Sequence, residues 1–457
     1  MLRPLYCPPG ALLRQPPNKR TLLTLAIESS CDDTAVAILS RTPARTQLLF
    51  NERISSDNRA FRGVHPVITV QGHNSSLAPL VQRALLALPE QPASSSAANG
   101  RLQQKLDFVS VTRGPGIMAN LAVGLNMAKG LAVAWDVPLL AVHHMQAHAL
   151  TPRLVRALGM GMDMDIDMNI GHHGDRGHGA DVAAKHSPEG PKFPFLTLLV
   201  SGGHTQLVHS AGLTNHRIIA NTGDIAIGNL LDQTARVILP PEILNSSPDV
   251  MYGRLLETFA FPDASPSEYA AFFRPATSRL DEINPQPTSH SWTIPLPFRN
   301  TRRLAYSFSS IHTQVHRIAA ANPAMDMHER RSLARHTMRA AFQHLASRLI
   351  LALQDKPELL QDAGATPTLV VAGGVASNKF LMHVLRETLR ARGFPNMRII
   401  APPVGFCTDN AAMIAWTGME MFEAGWRSEL GVRPVGRWPM EVDGGDGILG
   451  MDGWLRM

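Results

Sequence analysis

The chain holds 457 residues, 44% of them hydrophobic and 18% charged, with a formal net charge of +6. At roughly two to three times the length of a typical domain it predicts a two-lobed globular protein, and this much apolar material excludes disorder as the dominant state. The stretch nearest to a membrane span, Leu121 to Val142, is broken by Lys129 and Asp136, so no membrane insertion is expected. Three cysteines (Cys7, Cys31 and Cys407) make neither a disulfide framework nor a Cys-x-x-Cys pair, which points to a reducing compartment.

The positive charge is unevenly placed. Arg3, Arg14, Lys19 and Arg20 give residues 1–27 a charge of +4 with no acidic residue, leaving +2 for all the rest. An acid-free, arginine-bearing start with interspersed leucines resembles a mitochondrial presequence, expected over residues 1–21. The alternative is a plain disordered tail, and Pro8, Pro9, Pro16 and Pro17 weigh against an amphipathic helix there. Bulk charge therefore does not argue for RNA binding.

Thr24–Ile27 reads as a strand, Glu28-Ser-Ser-Cys-Asp-Asp33 as a polar turn, and Thr34–Leu39 as the returning strand. Phe108–Thr112 is a strand entering Gly114-Pro115-Gly116, followed by a helix over about Met118–Trp135 with Leu121, Leu125, Ala128 and Leu131 at helical spacing. The same order returns with the strand Phe195–Val200, the turn Ser201-Gly-Gly-His204 and the strand Thr205–Val208. Thr368–Ala372 then enters Gly373-Gly374, and a helix follows from about Ser377 with Phe380, Leu381, Val384, Leu385 and Leu389 on one face. Two halves with one grammar predict a duplicated α/β unit whose glycine turns meet across a cleft. Lobe I is expected over 22–150, completed by a helix at about 409–425, and lobe II over 194–408, with a tail at 426–457. Between the lobes lies an insert, 151–193. Its core, Gly159 to His186, offers His172, His173, His178 and His186 as metal donors, or is simply a solvated loop. Pro262 to Pro297 is loop-rich and is expected to wrap lobe II.

His144 and His148, four apart on a helix, project from one face, as two ligands of one metal or as two ordinary helical histidines. Met145 and Gln146 between them leave no carboxylate to activate a zinc-bound water, which disfavours a His-Glu-x-x-His peptidase. Ser201-Gly202-Gly203-His204-Thr205 can bring bare backbone to an anion or make a tight hairpin. In Gly373-Gly374-Val-Ala-Ser-Asn378, Asn378 can cap the helix or bond a ligand. Thr408 or Asp409 in Cys407-Thr-Asp-Asn410 is expected to cap the following helix. No Walker loop and no Gly-x-Ser-x-Gly elbow is present.

Ile27-Glu-Ser-Ser-Cys-Asp-Asp-Thr34, Gly114-Pro-Gly116, His144-x-x-x-His148, Ser201-Gly-Gly-His-Thr205, Gly373-Gly-Val-Ala-Ser-Asn378 and Cys407-Thr-Asp-Asn410, in this order, resemble one family from about Leu22 to Gly425. It is the tRNA N6-adenosine threonylcarbamoyltransferases, the TsaD family, formerly labelled O-sialoglycoprotein endopeptidases. The resemblance implies an α/β, actin-like ATPase (ASKHA) fold of two duplicated RNase H-like lobes with the site in the cleft between them. It implies transfer of the threonylcarbamoyl group of threonylcarbamoyl-adenylate to N6 of the adenosine beside the anticodon, with AMP leaving. By motif, His144, His148 and Asp409 would hold one divalent metal ion, iron or zinc. Leu199, Val200, Ser201, Gly202, Gly203, Asp232, Gly253 and Asn378 would line the ligand site; no general base is nominated. With its presequence-like start the chain resembles a mitochondrial branch member, expected in the matrix, and the resemblance implies a homodimer acting on tRNAs that read codons beginning with A, downstream of a threonylcarbamoyl-AMP synthase. The sequence departs from the family pattern at Val67, at Asn229 and Gln233 in place of a Glu and a Lys, at Leu239-Pro-Pro-Glu242, and at Ser310 and His312. The rival readings are an ATPase of the same fold, a metallopeptidase and a non-catalytic tRNA-binding scaffold.

Overall fold

The structure, a computed structural model, describes residues 21–61, 63–89, 106–160, 190–247, 251–284, 286–361, 367–442 and 445–457. The expected presequence, apart from Thr21, and the candidate donors His172, His173, His178 and His186 lie outside the described residues.

The first lobe begins with β1 (Leu22–Glu28), β2 (Asp33–Arg41) and β3 (Thr46–Ser55), then α1 (Pro66–Leu86), β4 (Phe108–Gly114), α2 (Met118–Trp135), β5 (Leu139–His143) and α3 (His144–Ala157). The second holds β6 (Phe195–Val200), β7 (Thr205–Ser210), β8 (His216–Asn221), α4 (Ile227–Ile238), α5 (Pro241–Asn245), α6 (Tyr252–Ala260), α7 (Pro266–Phe272), α8 (Arg279–Ile283), α9 (Ser309–Ala321), α10 (Met327–Asp355), β9 (Thr368–Ala372), α11 (Lys379–Ala391), β10 (Arg398–Ile400) and α12 (Val404–Cys407). The chain returns to the first lobe with α13 (Ala411–Glu423), β11 (Trp426–Ser428) and β12 (Trp454–Arg456).

The duplication is visible in the strand order. The larger sheet contains β3-β2-β1-β4-β5 and the smaller is β8-β7-β6-β9-β10. In each, an antiparallel meander of three strands is followed by two strands parallel to its first. The innermost strands read as continuous apolar runs because both their faces are covered: Leu25, Ala26 and Ile27 of β1, and Leu198, Leu199 and Val200 of β6, are buried. One apolar core fills the second lobe and another lies behind the larger sheet under α1 and α2. A third joins the two sheets through α3 and α13 and includes Met413, Trp416 and Met419 together with Leu199 and Val370. This is the actin-like arrangement expected from the sequence.

Two boundaries are corrected. Residues 426–457 are not a tail, since β11 and β12 extend the larger sheet beyond β5. The segment is also pinned by side chains. Buried Arg113 donates to the Arg433 carbonyl at 2.9 Å and to the Asp452 carbonyl at 2.6 Å, and Trp438 and Trp454 both donate to the Ile448 carbonyl. The insert expected from residue 151 starts later, because α3 runs on to Ala157 with Leu154 and Val155 in the core. Pro262 to Pro297 does cover the second lobe, and α7 and α8 lie within it, with Tyr269, Phe273 and Ile294 buried.

Buried neutral histidines make the second lobe sensitive to acid. His344 on α10 accepts from the Ser307 N–H through Nε2 at 3.2 Å, and burial, with Arg348 beside it, pushes its pKa down to about 3. His216 bonds Ser210 Oγ at 3.0 Å and the Leu213 carbonyl at 2.9 Å, and burial pushes it down to about 4. Unfolded, both titrate near 6.5, so below that pH the unfolded chain holds more protons than the folded one. Their contribution to stability is complete above about pH 6.5 and is lost as pH falls, by up to about 1.4 kcal/mol per pH unit for each group. Thermal melts from neutral pH down through the acid range should show the midpoint falling, and His344→Gln should flatten that limb.

Candidate active site

The site is built where strand ends of the first lobe meet turns of the second. β5 passes into α3 without a loop: His143 ends the strand and caps the helix, its Nδ1 accepting from the Gln146 N–H at 3.3 Å. His144 and His148 therefore lie on one face of the first helical turns, both buried. Their Nε2 atoms are 3.2 Å apart, and Asp409 Oδ1 lies 3.1 Å from His148 Nε2 and 3.5 Å from His144 Nε2. The three donor atoms all fall within 4.8 Å of one another.

Asp409 reaches the histidines because it does not cap α13. Asn410 does that, its Oδ1 accepting from the Met413 N–H at 3.0 Å, which corrects the expectation of Thr408 or Asp409 as the cap. Burial alone would raise the Asp409 pKa, but the adjoining His144, with His148, holds the carboxyl well below the usual range.

A residue that sequence reasoning left within a turn completes the cluster. Glu28, the last residue of β1, is fully buried, and its Oε2 lies 3.1 Å from His144 Nδ1 and accepts from Thr112 Oγ at 2.5 Å. Its Oε1 accepts from the Ser30 N–H at 2.6 Å. A carboxylate at Nδ1 fixes the proton there and leaves the Nε2 lone pair facing His148 and Asp409, the form that ligates a metal. Burial pulls the His144 pKa down, but Glu28 and Asp409 outweigh it and push it up to about 10. With no ion bound, Nε2 therefore carries a proton as well; two convergent imidazoles with one carboxylate fit a single divalent ion, whose binding would displace that proton and free the Nε2 lone pair.

The second lobe brings its turns to this cluster. Burial, with the charges of His144 and His148 adding to it, pushes His204, at the end of the Ser201–His204 turn, down to about 4. Gly202 and Gly203 are exposed with open space around them. Gly228 at the start of α4 donates to the Ser201 carbonyl at 3.1 Å, and its Cα packs so tightly there that a β-carbon would stand 2.7 Å from the Gly202 nitrogen. Gly373, at φ +100°, lies as close to the Val200 carbonyl, where a β-carbon would be 2.4 Å away. A β-carbon at the next glycine, Gly374, would stand 3.9 Å from Thr408 Cγ2. Thr408 in turn accepts from Arg53, which pairs with Asp33 at 3.2 Å. Burial pushes the Asp33 carboxyl up to about 7 despite that pairing.

Asp232 and Gly253, 21 positions apart, are joined directly, the Gly253 N–H donating to Asp232 Oδ1 at 2.7 Å. Leu199 and Val200 send their side chains into two different cores, so only their backbone borders the turn. Asn378 caps α11, its Oδ1 accepting from the Leu381 N–H at 2.9 Å.

The family model of TsaD, tRNA N6-adenosine threonylcarbamoyltransferase, matches residues 47–160 and 176–416. The chain belongs to this family. The mitochondrial tRNA N6-adenosine threonylcarbamoyltransferase of Schizosaccharomyces pombe is 34% identical over 95% of this chain and 90% of its own length. The family's proteins from Chelativorans sp. and Maricaulis maris are 32% and 31% identical, over 91% and 92% of this chain and 94% and 92% of theirs. The activity of the family is tRNA threonylcarbamoylation, and tRNA is its substrate. Among the described residues no helix is long and apolar enough to cross a membrane.

If Glu28 orients His144, Glu28→Gln should lower the affinity for a divalent metal about ten- to a hundredfold. Chelator competition followed by metal analysis checks this, and an affinity within about twofold of the unaltered protein would exclude the orienting role.

Proposed function

We propose that the chain moves the threonylcarbamoyl group from threonylcarbamoyl-adenylate to N6 of the adenosine next to the anticodon, in mitochondrial tRNAs reading codons that begin with A, releasing AMP. The observation that carries this reading is the convergence of His144, His148 and Asp409, with donor atoms all within 4.8 Å of one another, in a chain of this family. In balance, the mixed-anhydride C–O bond breaks, a C–N bond forms at N6, the N6 proton leaves and AMP departs. Adenine N6 is a weak nucleophile because its lone pair is delocalised into the ring. The protein must therefore position the two reactants and stabilise the phosphate as it leaves.

His144, His148 and Asp409 would hold one divalent ion, iron or zinc, both suited to two imidazoles and a carboxylate. When bound, the ion supplies Lewis acidity to the activated group. Glu28 keeps His144 in its ligating tautomer. The Ser201–Gly203 turn, with the backbone of Leu199 and Val200 behind it, presents exposed backbone to the adenylate, as glycine turns do to phosphates. Asp232 and Gly253 would border the adenosine from α4 and α6, and Asn378 would do so from the start of α11. The presequence-like residues 1–21 and the mitochondrial relative support location in the mitochondrial matrix. There the chain would act as a homodimer, supplied by a threonylcarbamoyl-AMP synthase.

The test combines purified protein, divalent metal, an unmodified tRNA reading a codon that begins with A, and a synthase with threonine, bicarbonate and ATP. Mass spectrometry of the digested tRNA should find threonylcarbamoyladenosine. The double variant His144→Ala/His148→Ala should make roughly a hundredfold less, or none. Product formed equally by the double variant would remove the metal cluster from the reaction. No product, with a known transferase working in parallel, would bring the scaffold reading forward.

A further inference from the structure

The loop between β3 and α1 belongs neither to the metal cluster nor to the glycine turns, yet it joins the lobes. It leaves the first lobe beside the Cys31–Asp33 turn, where the Ser56 N–H donates to the Asp32 carbonyl at 2.9 Å. It makes one 3-10 turn over Arg59–Phe61, closed by the Phe61 N–H to the Asn58 carbonyl at 3.0 Å. Asn58 is buried, and its Oδ1 accepts from the His65 N–H at 3.0 Å, so the base of the loop is fixed. The loop then meets the second lobe: a β-carbon at Gly63 would stand 3.8 Å from Nη2 of Arg236, on α4 one turn beyond Asp232. Beyond the loop, α1 is tied back to the cluster side by His73, whose Nε2 bonds the Cys31 carbonyl at 3.0 Å.

On this fixed mount Phe61 stands 51% exposed, its ring centroid 4.2 Å from that of His65 and the two planes 32° apart. Val64 and Val67 beside it are exposed as well. The Arg236 guanidinium, which the loop meets at Gly63, lies 5.5 Å from the centre of the Tyr252 ring. Arg236 Nε is buried with no hydrogen-bond partner among the described residues.

An exposed aromatic ring backed by a second ring, on a loop that also touches a cationic side chain, matches what single-stranded RNA needs. The target adenosine lies in the anticodon loop. Bringing its N6 to a cleft requires neighbouring bases to leave their stack, and aromatic faces replace the lost stacking. The geometry points to Phe61, backed by His65, as the stacking platform for a base flanking the target adenosine, with Arg236 facing the adjoining phosphate. The inference rests on the family's tRNA substrate and names the residues that would receive it. Phe61 is thus a substrate-binding residue and not a catalytic one.

The test is binding of a fluorescently labelled, unmodified anticodon stem–loop to the full chain without acyl donor, so the result does not depend on whether transfer occurs. Phe61→Ala and Phe61→Leu should each weaken binding about five- to fiftyfold, and Phe61→Trp should hold it near the unaltered level. Melting temperature and metal content should stay the same in all three. In turnover, KM for tRNA should rise by the same factor with KM for the adenylate unmoved. Binding unchanged in Phe61→Ala, full binding in Phe61→Leu, or equal loss in Phe61→Trp and Phe61→Ala would each overturn the platform.

Discussion

Glu28 is a carboxylate with no exposure to water, and the centre of the molecule is organised around balancing it. A buried anion is costly unless it is hydrogen-bonded and paired. Thr112 from β4 and the Ser30 backbone supply the hydrogen bonds, and His144 from α3 supplies the charge. Burial raises the Glu28 pKa, but His144 outweighs it and leaves the carboxyl below its usual value. Three neighbouring strand ends, those of β1, β4 and β5, are thereby brought to one point. The loop-free passage from β5 into α3 follows from the same demand, since a longer connection would let the His144 ring drift from its partner. What aims Nε2 of His144 at Asp409 is therefore the constraint that keeps Glu28 paired.

The duplicated topology explains why the second lobe meets that point with glycines. β1 and β6 hold equivalent places in their sheets, and each ends in a turn facing the other lobe. In the first lobe the turn carries the buried carboxylate and the Cys31–Asp33 acids. In the second it carries Ser201–Gly203, where a backbone with little side chain lets Gly228 and Gly373 pack against it within a β-carbon's reach. One copy of the unit therefore provides carboxylate and imidazole groups that fit a cation, and the other provides backbone donors and space.

Much of this was legible in the sequence. Strands such as Phe195–Val200 and Thr368–Ala372, and the helix Met118–Trp135, show their periodicity and are bounded by glycine or polar turns. The candidate metal trio could be named only through the family resemblance of its motifs, since spacing alone offered His144 and His148 as a possible pair and read Asp409 as a cap. What escaped depends on contacts between distant residues. Thr408, Asp409 and Asn410 are all good cap formers, and only the fold shows that Asn410 caps, freeing Asp409. β11 and β12 are three residues each and have no alternation to read; they become strands by pairing, Ser428 with Leu139 of β5 and Trp454 with Ser428. Glu28 looked like part of a polar turn, because nothing near it in sequence reveals that His144 covers it.

The departures at Asn229 and Gln233 stand where the family pattern has a Glu and a Lys, flanking Asp232, and they bear on whether the ligand site survives. On α4 these positions are one turn apart and face each other. In this chain the Gln233 Nε2 donates to Asn229 Oδ1 at 2.7 Å. A pair of opposite charges is thus replaced by a pair of amides that keeps a donor, an acceptor and the same i, i+4 contact, with no net change in charge. Pairs of either kind one turn apart on a helix contribute only tenths of a kcal/mol, so the exchange costs the helix little. Asp232 points elsewhere, to the Gly253 N–H, and that bond does not involve the exchanged pair. The replacement therefore leaves intact the contact that holds α6 against α4. It removes one fixed charge of each sign from the neighbourhood of the glycine turn, and the net field there at longer range is nearly the same.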